Sequence, residues 1–252
     1  MNTTSFLHQF KPLRDAAKVV AQKVDLKQKF YGGYIFLNAV DHSWAWTGKD
    51  RYETFDIDLQ NFIYQTSKGY DYFVDIGCNV GVLSLGTLFH NETVKVIAVD
   101  ANIKTINLLN KSLAYNKLAK RCAVVCKAIG NQNGTIKFDI EGSVTGHVSE
   151  KGTEVELVKL SDFLRLYGQS KTFVKIDIEG YEMQIINEFA GIQNLSNFKF
   201  IIELHPIGFN GIGDPQNFLA QLKNMNANIT GLDGKAITEI DIYGITQAIV
   251  TF

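Results

Sequence analysis

Three short runs hold the residue types that could do chemistry. The first is Asp75-Ile76-Gly77-Cys78-Asn79-Val80-Gly81, an apolar run ending in a carboxylate and two glycines. Gly77 lets the chain turn sharply and lets a ligand approach the backbone, and Gly81 stands where a helix would begin with free N–H groups. The spacing is G-x-x-x-G and not the G-x-G-x-x-G of dinucleotide sites, and Asp75 would repel a pyrophosphate while suiting a cation. The second run, Val94–Val99, ends at Asp100, a carboxylate able to accept both hydroxyls of a ribose. Together these ask for a nucleoside that carries positive charge and no phosphate, a description S-adenosylmethionine meets. An NAD- or nucleotide-using enzyme fits less well, and a non-catalytic cofactor-binding or interaction module is the alternative of another class.

The third run, Lys175-Ile176-Asp177-Ile178-Glu179-Gly180-Tyr181-Glu182, ends another apolar stretch, and Glu203 and His205 end the next. Asp177 falls at the carboxyl edge of a strand, where open α/β sheets bind ligands. A carboxylate there can take or steer the proton of an attacking hydroxyl, while positioning alone supplies roughly 7–11 kcal/mol of barrier reduction. Glu179 is a second catalytic candidate. His205 is a general base or a satisfied structural histidine, and Glu182 is an acceptor-site carboxylate or a charge favoured at a helix N-terminus. Successive residues alternate across a strand, so Asp177 and Glu179 share a face only if the strand continues through them, and no metal is expected.

The surrounding pattern supplies the elements that must position these groups. Tyr72–Ile76, Val94–Val99, Cys122–Ile129, Phe173–Ile178 and Phe198–Leu204 are too apolar for a sheet with one wet face. Segments with helical spacing follow them: Ile103, Ile106, Leu109 and Leu113, then Ile185, Ile186, Phe189 and Ile192, then Phe218, Leu222 and Met225 behind an Asp214-Pro215 cap. This predicts a doubly wound α/β domain with a mostly parallel sheet. Thr135–Ile140 and Glu154–Leu160 read as a β-hairpin insertion after the third strand, and Ala236–Ile242 with Ile245–Phe252 as an antiparallel C-terminal hairpin. Residues 1–70 are expected to be an N-terminal extension that packs on the core of a 71–252 domain and caps its site. Trp44, Trp46, Tyr52, Phe55 and the loop Ser143–Ser149 with His147 are lid candidates, or simple packing.

The runs at 75–81, 100, 175–182 and Ile202-Glu203-Leu204-His205-Pro206 resemble, in order and spacing over about residues 50–252, the FkbM-type S-adenosylmethionine-dependent methyltransferases. Cys78 stands where that family commonly has alanine, and Asp100-Ala101-Asn102 where it has E-P-N. The resemblance implies a seven-stranded Rossmann-like class I methyltransferase fold, with S-adenosyl-L-methionine as cofactor and a hydroxyl on a saccharide or other small molecule as acceptor. It further implies that Asp75 meets the methionine amino group beside the Gly77 and Cys78 backbone, and that Asn79 meets the carboxylate. Asp100 and Ala101 would hold the ribose, and Lys127 and Ala128 would frame the adenine. Glu53, in Tyr52-Glu53, would close the site or be a surface carboxylate.

Composition excludes other classes. Across 252 residues, 25 Lys+Arg against 26 Asp+Glu leave a net charge of −1, unlike a nucleic-acid coat. That neutrality is uneven: residues 1–30 hold six basic side chains against Asp15 and Asp25. This basic segment reads as a solvated face or arm. No run approaches the ~18 apolar residues of a membrane span. The start lacks the apolar core of a secretory signal, and Asp15 with the lone Arg14 fits a transit peptide poorly. Cys78, Cys122 and Cys126 are odd in number and match no common zinc spacing, so a reducing, cytoplasmic compartment is expected.

Overall fold

The computed structural model describes residues 19–42, 52–139, 147–148, 152–206 and 214–252. Trp44, Trp46, most of the Ser143–Ser149 loop and the first eighteen residues lie outside them, as do the side chains of His147 and Val148.

The centre is a seven-stranded sheet. Its parallel part is built from β3 (Tyr72–Ile76), β4 (Lys95–Asp100), β5 (Cys122–Cys126), β10 (Thr172–Ile176) and β11 (Phe198–Leu204). β12 (Asn228–Thr230) and β13 (Thr246–Thr251) complete it in the order β12-β13-β11-β10-β3-β4-β5, with β13 antiparallel to both neighbours. The order reverses between β3 and β10, whose registers pair Asp75 with Lys175 and Ile76 with Ile176. Ligands of such sheets bind in the crevice at that reversal.

Alternation along the strands fills both faces. Val74, Ile76, Val174, Ile176 and Ile202 pack with residues of α4 (Leu160–Leu164), α5 (Glu182–Ile185) and α6 (Pro215–Asn224). Phe73, Val96, Ala98, Phe173 and Ile201 pack with residues of α1 (Ile57–Thr66), α2 (Val82–His90) and α3 (Ile103–Tyr115). Each such apolar side chain, fully buried, contributes roughly 1.5–3 kcal/mol. The Asp214-Pro215 cap forms as the sequence predicts, Asp214 accepting from the Gln216 N–H at 2.9 Å.

The leading segment joins the second face. The hairpin of β1 (Asp25–Phe30) and β2 (Gly33–Asn38) buries Phe30, Ile35 and Leu37 among Leu85, Leu109 and Leu113. It is tied to α3 where Phe36 donates its N–H to Ser112 Oγ at 2.9 Å and Tyr34 its N–H to Asn116 Oδ1 at 2.9 Å.

Two strands differ from the sequence reading. Cys122–Ile129 breaks at Lys127: β6 (Ala128–Gly130) leaves the main sheet to pair in parallel with β9 (Thr153–Lys159). β9 also pairs antiparallel with β7 (Gly134–Asp139), which pairs with β8 (His147–Val148), so the insertion is a four-stranded sheet of its own. At the C-terminus the antiparallel partner of β13 is Asn228–Thr230, and Ala236–Ile242 touches that strand only through an Ala236–Thr230 bridge. Gly234, at φ +78°, turns the chain there, and Ile240 spends its side chain on the core. Among the described residues no helix is long and apolar enough to cross a membrane.

Candidate functional site

A cleft opens at the carboxyl ends of β3, β4, β5 and β10. Gly77, Asn79, Asp100, Ala101, Lys127, Ala128, Asp177 and Glu179 line it, all marked by the sequence. The floor is the glycine turn. The N–H groups of Gly77 and Cys78 both donate to the Val99 carbonyl, at 2.8 and 3.0 Å, which folds the loop back onto β4. Gly77, at φ +78°, lies so close to β10 that a Cβ there would come within 1.8 Å of the Asp177 carbonyl oxygen. Asp100 braces the loop from the other side: Oδ2 accepts from the Asn79 N–H and Oδ1 from the Asn102 N–H, each at 2.7 Å. Thr105 Oγ1 also stands 3.4 Å from Oδ1, which leaves Oδ2 the oxygen with a lone pair to spare for a ligand hydroxyl.

The far wall is apolar. Ile129, Ile136, Phe138 and Leu157, from the insertion sheet, face Val99 and Ala101 across the cleft with Tyr181 beside them. Composition alone did not mark this wall; the signal was the apolar alternation of Ile136 and Phe138 within a strand already assigned to the insertion. A flat base fits between such surfaces. Lys127 does not bring free charge to it, because its ammonium pairs with Glu156 at 2.7 Å.

Several marked residues stand elsewhere. Asp75 is fully buried beneath the glycine turn, outside the lining, where Ser84 Oγ donates to its Oδ2 at 2.6 Å. Burial raises its pKa against the lowering effects of Lys175 and Ser84. Alternation along β3 turns it toward α2 instead of the cleft. Glu53 accepts the Tyr31 N–H and so pins the β1–β2 turn, away from the cleft lining. Gly81 is an αL residue capping α2, where a Cβ would strike Leu109 Cδ1 at 2.4 Å, so its glycine serves packing. Cys78 is buried, which pushes its thiol pKa well up. Of the lid candidates, Tyr52 is buried in the core and Phe55 is exposed.

At the other end of the cleft the charged groups gather. Strand β10 stops at Ile176, and the chain turns through Glu179 (φ +55°) and Gly180 (φ +98°). The strand does not continue through Asp177 and Glu179, so it is this turn and not strand alternation that brings the two carboxylates together. With His205 they offer three ligating atoms within 4.8 Å of one another. His205 Nε2 lies 3.7 Å from Asp177 Oδ1 and 4.0 Å from Glu179 Oε2, while Nδ1 lies 3.4 Å from Glu182 Oε1. Burial works against a charged His205, but Glu182, Asp177 and Glu179 raise it to about 9. Lys175 is buried 2.7 Å from Asp177 Oδ2 and 3.5 Å from Glu203. Burial opposes its charge, yet Asp177, Glu203 and Asp75 hold its pKa above the usual range. Burial raises Glu203 to about 7, and burial with the Asp177 charge raises Glu179.

The fit to S-adenosyl-L-methionine is thus good on three counts. A bare glycine backbone lies on the floor, a braced carboxylate stands at the β4 edge, and carboxylates outnumber cations where a sulfonium would sit. Solved structures with a similar chain course include two from M. jannaschii. They are TYW2 in complex with AdoMet (11% identity, TM-score 0.49, 90% of this chain and 84% of that one) and a tRNA m1G37 methyltransferase (13% identity, TM-score 0.48, 90% and 53%). The chain thus spans about half the length of the second. No curated protein matches the chain. The methyltransferase FkbM domain matches residues 75–229, more than half of the sequence and all of the cleft floor, so the protein belongs to the FkbM family of methyltransferases and uses S-adenosyl-L-methionine.

Proposed function

We propose that the protein methylates an oxygen of a saccharide or another small hydroxyl compound, with Asp177 accepting the hydroxyl proton. The observation that carries this reading is the pairing of Asp177 and Glu179 at the mouth of the cleft, next to the glycine turn. Hydroxyl groups donate well to carboxylates, whereas a polyanion would meet Asp177, Glu179 and Glu203 with only Lys175 and His205 in compensation.

When bound, S-adenosyl-L-methionine supplies a methyl group made electrophilic by its sulfonium. The residues do the rest. Gly77 and Asn79 set the cofactor's depth, Asp100 and Ala101 hold the ribose end, and Lys127 and Ala128 border the base. Asp177 orients the acceptor hydroxyl. Asp177 would take the proton of that hydroxyl as its oxygen receives the methyl group the cofactor would supply. His205, an imidazolium at neutral pH, offsets the charge of Asp177 and Glu179. On this reading that imidazolium, and not a metal ion, is the cation between them. The described part of the leading segment, packed against α3 and tied to β13 by the 2.7 Å Asp56–Gln247 hydrogen bond, would border the acceptor entrance. The three free cysteines suit a reducing cytoplasmic setting.

The test is transfer of labelled methyl to saccharides, small hydroxyl compounds and, for comparison, RNA. An ether-linked methyl on one of the first two supports the reading, and label confined to RNA overturns it.

A further inference from the structure

Glu182 opens α5 and is completely buried. Its Oε1 accepts from the N–H groups of Ile178 at 3.0 Å and Gly180 at 3.3 Å, the two amides that flank Glu179 in the left-handed turn. The same oxygen stands 3.4 Å from His205 Nδ1, while Oε2 is buried with no hydrogen-bond partner. Burying a carboxylate with one oxygen unmet is costly, and a helix of one turn gains little from an acidic first residue. The cost makes sense if that carboxylate organises its neighbours. A ring nitrogen held on one side fixes the tautomer and the direction of the other, and here the other nitrogen faces Asp177 Oδ1 and Glu179 Oε2.

We propose that Glu182 is the positioning residue of the acceptor end: with one oxygen it holds both the 178–180 turn and the His205 ring, so that Nε2 is fixed against Asp177 and Glu179. This rests on the reading of Asp177 as the proton acceptor, because it assigns the geometry around that carboxylate. Glu182 itself touches neither cofactor nor acceptor. Among the described residues, the charged groups around His205 are Glu182 from α5, Asp177 and Glu179 from the turn after β10, Glu203 from β11, and Lys175 between Asp177 and Glu203.

The test is nitrogen-15 NMR of the His205 ring across pH, its signals identified by their loss in His205→Gln. In the wild type the neutral ring is expected as the Nδ1–H tautomer, with a midpoint near 9. Glu182→Gln keeps an oxygen for the Ile178 and Gly180 N–H groups but loses the charge. Its His205 midpoint is expected to fall by at least one pH unit, with mixed tautomers. Glu182→Asp, charged but shorter, should fall between the two and serves if the glutamine variant does not fold. An unchanged midpoint and tautomer in both variants would overturn the proposal. S-adenosylhomocysteine affinity, measured on the same samples, should stay within about threefold of wild type. Failure of the wild type to bind it would count against the methyltransferase reading, and the NMR comparison would still decide the role of Glu182.

Discussion

The α-carbon of Gly77 rests on the backbone carbonyl of Asp177, so closely that a Cβ would stand 1.8 Å from its oxygen. The cofactor turn and the acceptor carboxylate are therefore one packed unit, and neither can move without the other. Gly77→Ala adds a steric clash to an αL penalty, together about 2–4 kcal/mol. Thermal unfolding should show a lower Tm, and calorimetry should show loss of S-adenosylhomocysteine binding even below that Tm.

Asp100 has two tasks, bracing the Asn79 and Asn102 amides and meeting the ribose. Asp100→Ala should weaken S-adenosylhomocysteine by more than tenfold. Normal affinity by calorimetry would remove Asp100 from the cofactor site.

Ser84 and Asp75 separate support from contact. Asp75 is buried under the turn, so Ser84→Ala, which takes away its 2.6 Å hydrogen bond, should cost about 1–3 kcal/mol of stability. Cofactor affinity in the folded variant should change by less than about threefold. A large affinity loss without a change in Tm would put Asp75 back in contact with the ligand.

Those outcomes bear on what the sequence made legible. The strand ends carrying Gly77, Asp100 and Asp177 were readable because a parallel sheet must be apolar throughout and must release its polar residues at one edge. The Asp214-Pro215 cap was readable because its chemistry is local. That Asp75 is buried against Ser84 was not readable, because its position in a motif says which residues surround the turn, not which face of β3 the side chain takes. Alternation could not decide whether Asp177 and Glu179 meet, because the strand ends at Ile176 and the Glu179–Gly180 turn sets their approach. Glu53 was legible only as a carboxylate that closes the site or lies on the surface; its bond to Tyr31 depends on where the β1–β2 hairpin docks. The wall of Ile136, Phe138 and Leu157 needed the knowledge that β6 leaves the main sheet, which a continuous apolar run at 122–129 conceals.

Stability should fall as pH rises from mildly acidic to alkaline. His205 is raised to about 9, so the folded state holds its proton more tightly than the unfolded chain. That contribution is complete below about 6.5 and is lost as pH climbs through 9. Glu203, raised to about 7 mainly by burial, adds a fall at lower pH, between about 4.5 and 7. Denaturant midpoints measured from pH 5 to 10 should show both. His205→Gln should flatten the segment between 6.5 and 9 and leave the lower one.

Chelation should leave turnover within about twofold, because the imidazolium of His205 supplies the positive charge between Asp177 and Glu179. An assay with and without EDTA checks this. Activity lost to EDTA and restored by magnesium or manganese would instead assign the three converging atoms to a metal.

The central claim is that Asp177 receives the acceptor's proton while the cofactor is held by other residues. The most direct measurement pairs methyl transfer with S-adenosylhomocysteine calorimetry for the wild type and Asp177→Ala. The account predicts a turnover loss of about 10²–10⁴-fold with cofactor affinity within a few fold of wild type. Full turnover in Asp177→Ala would contradict it.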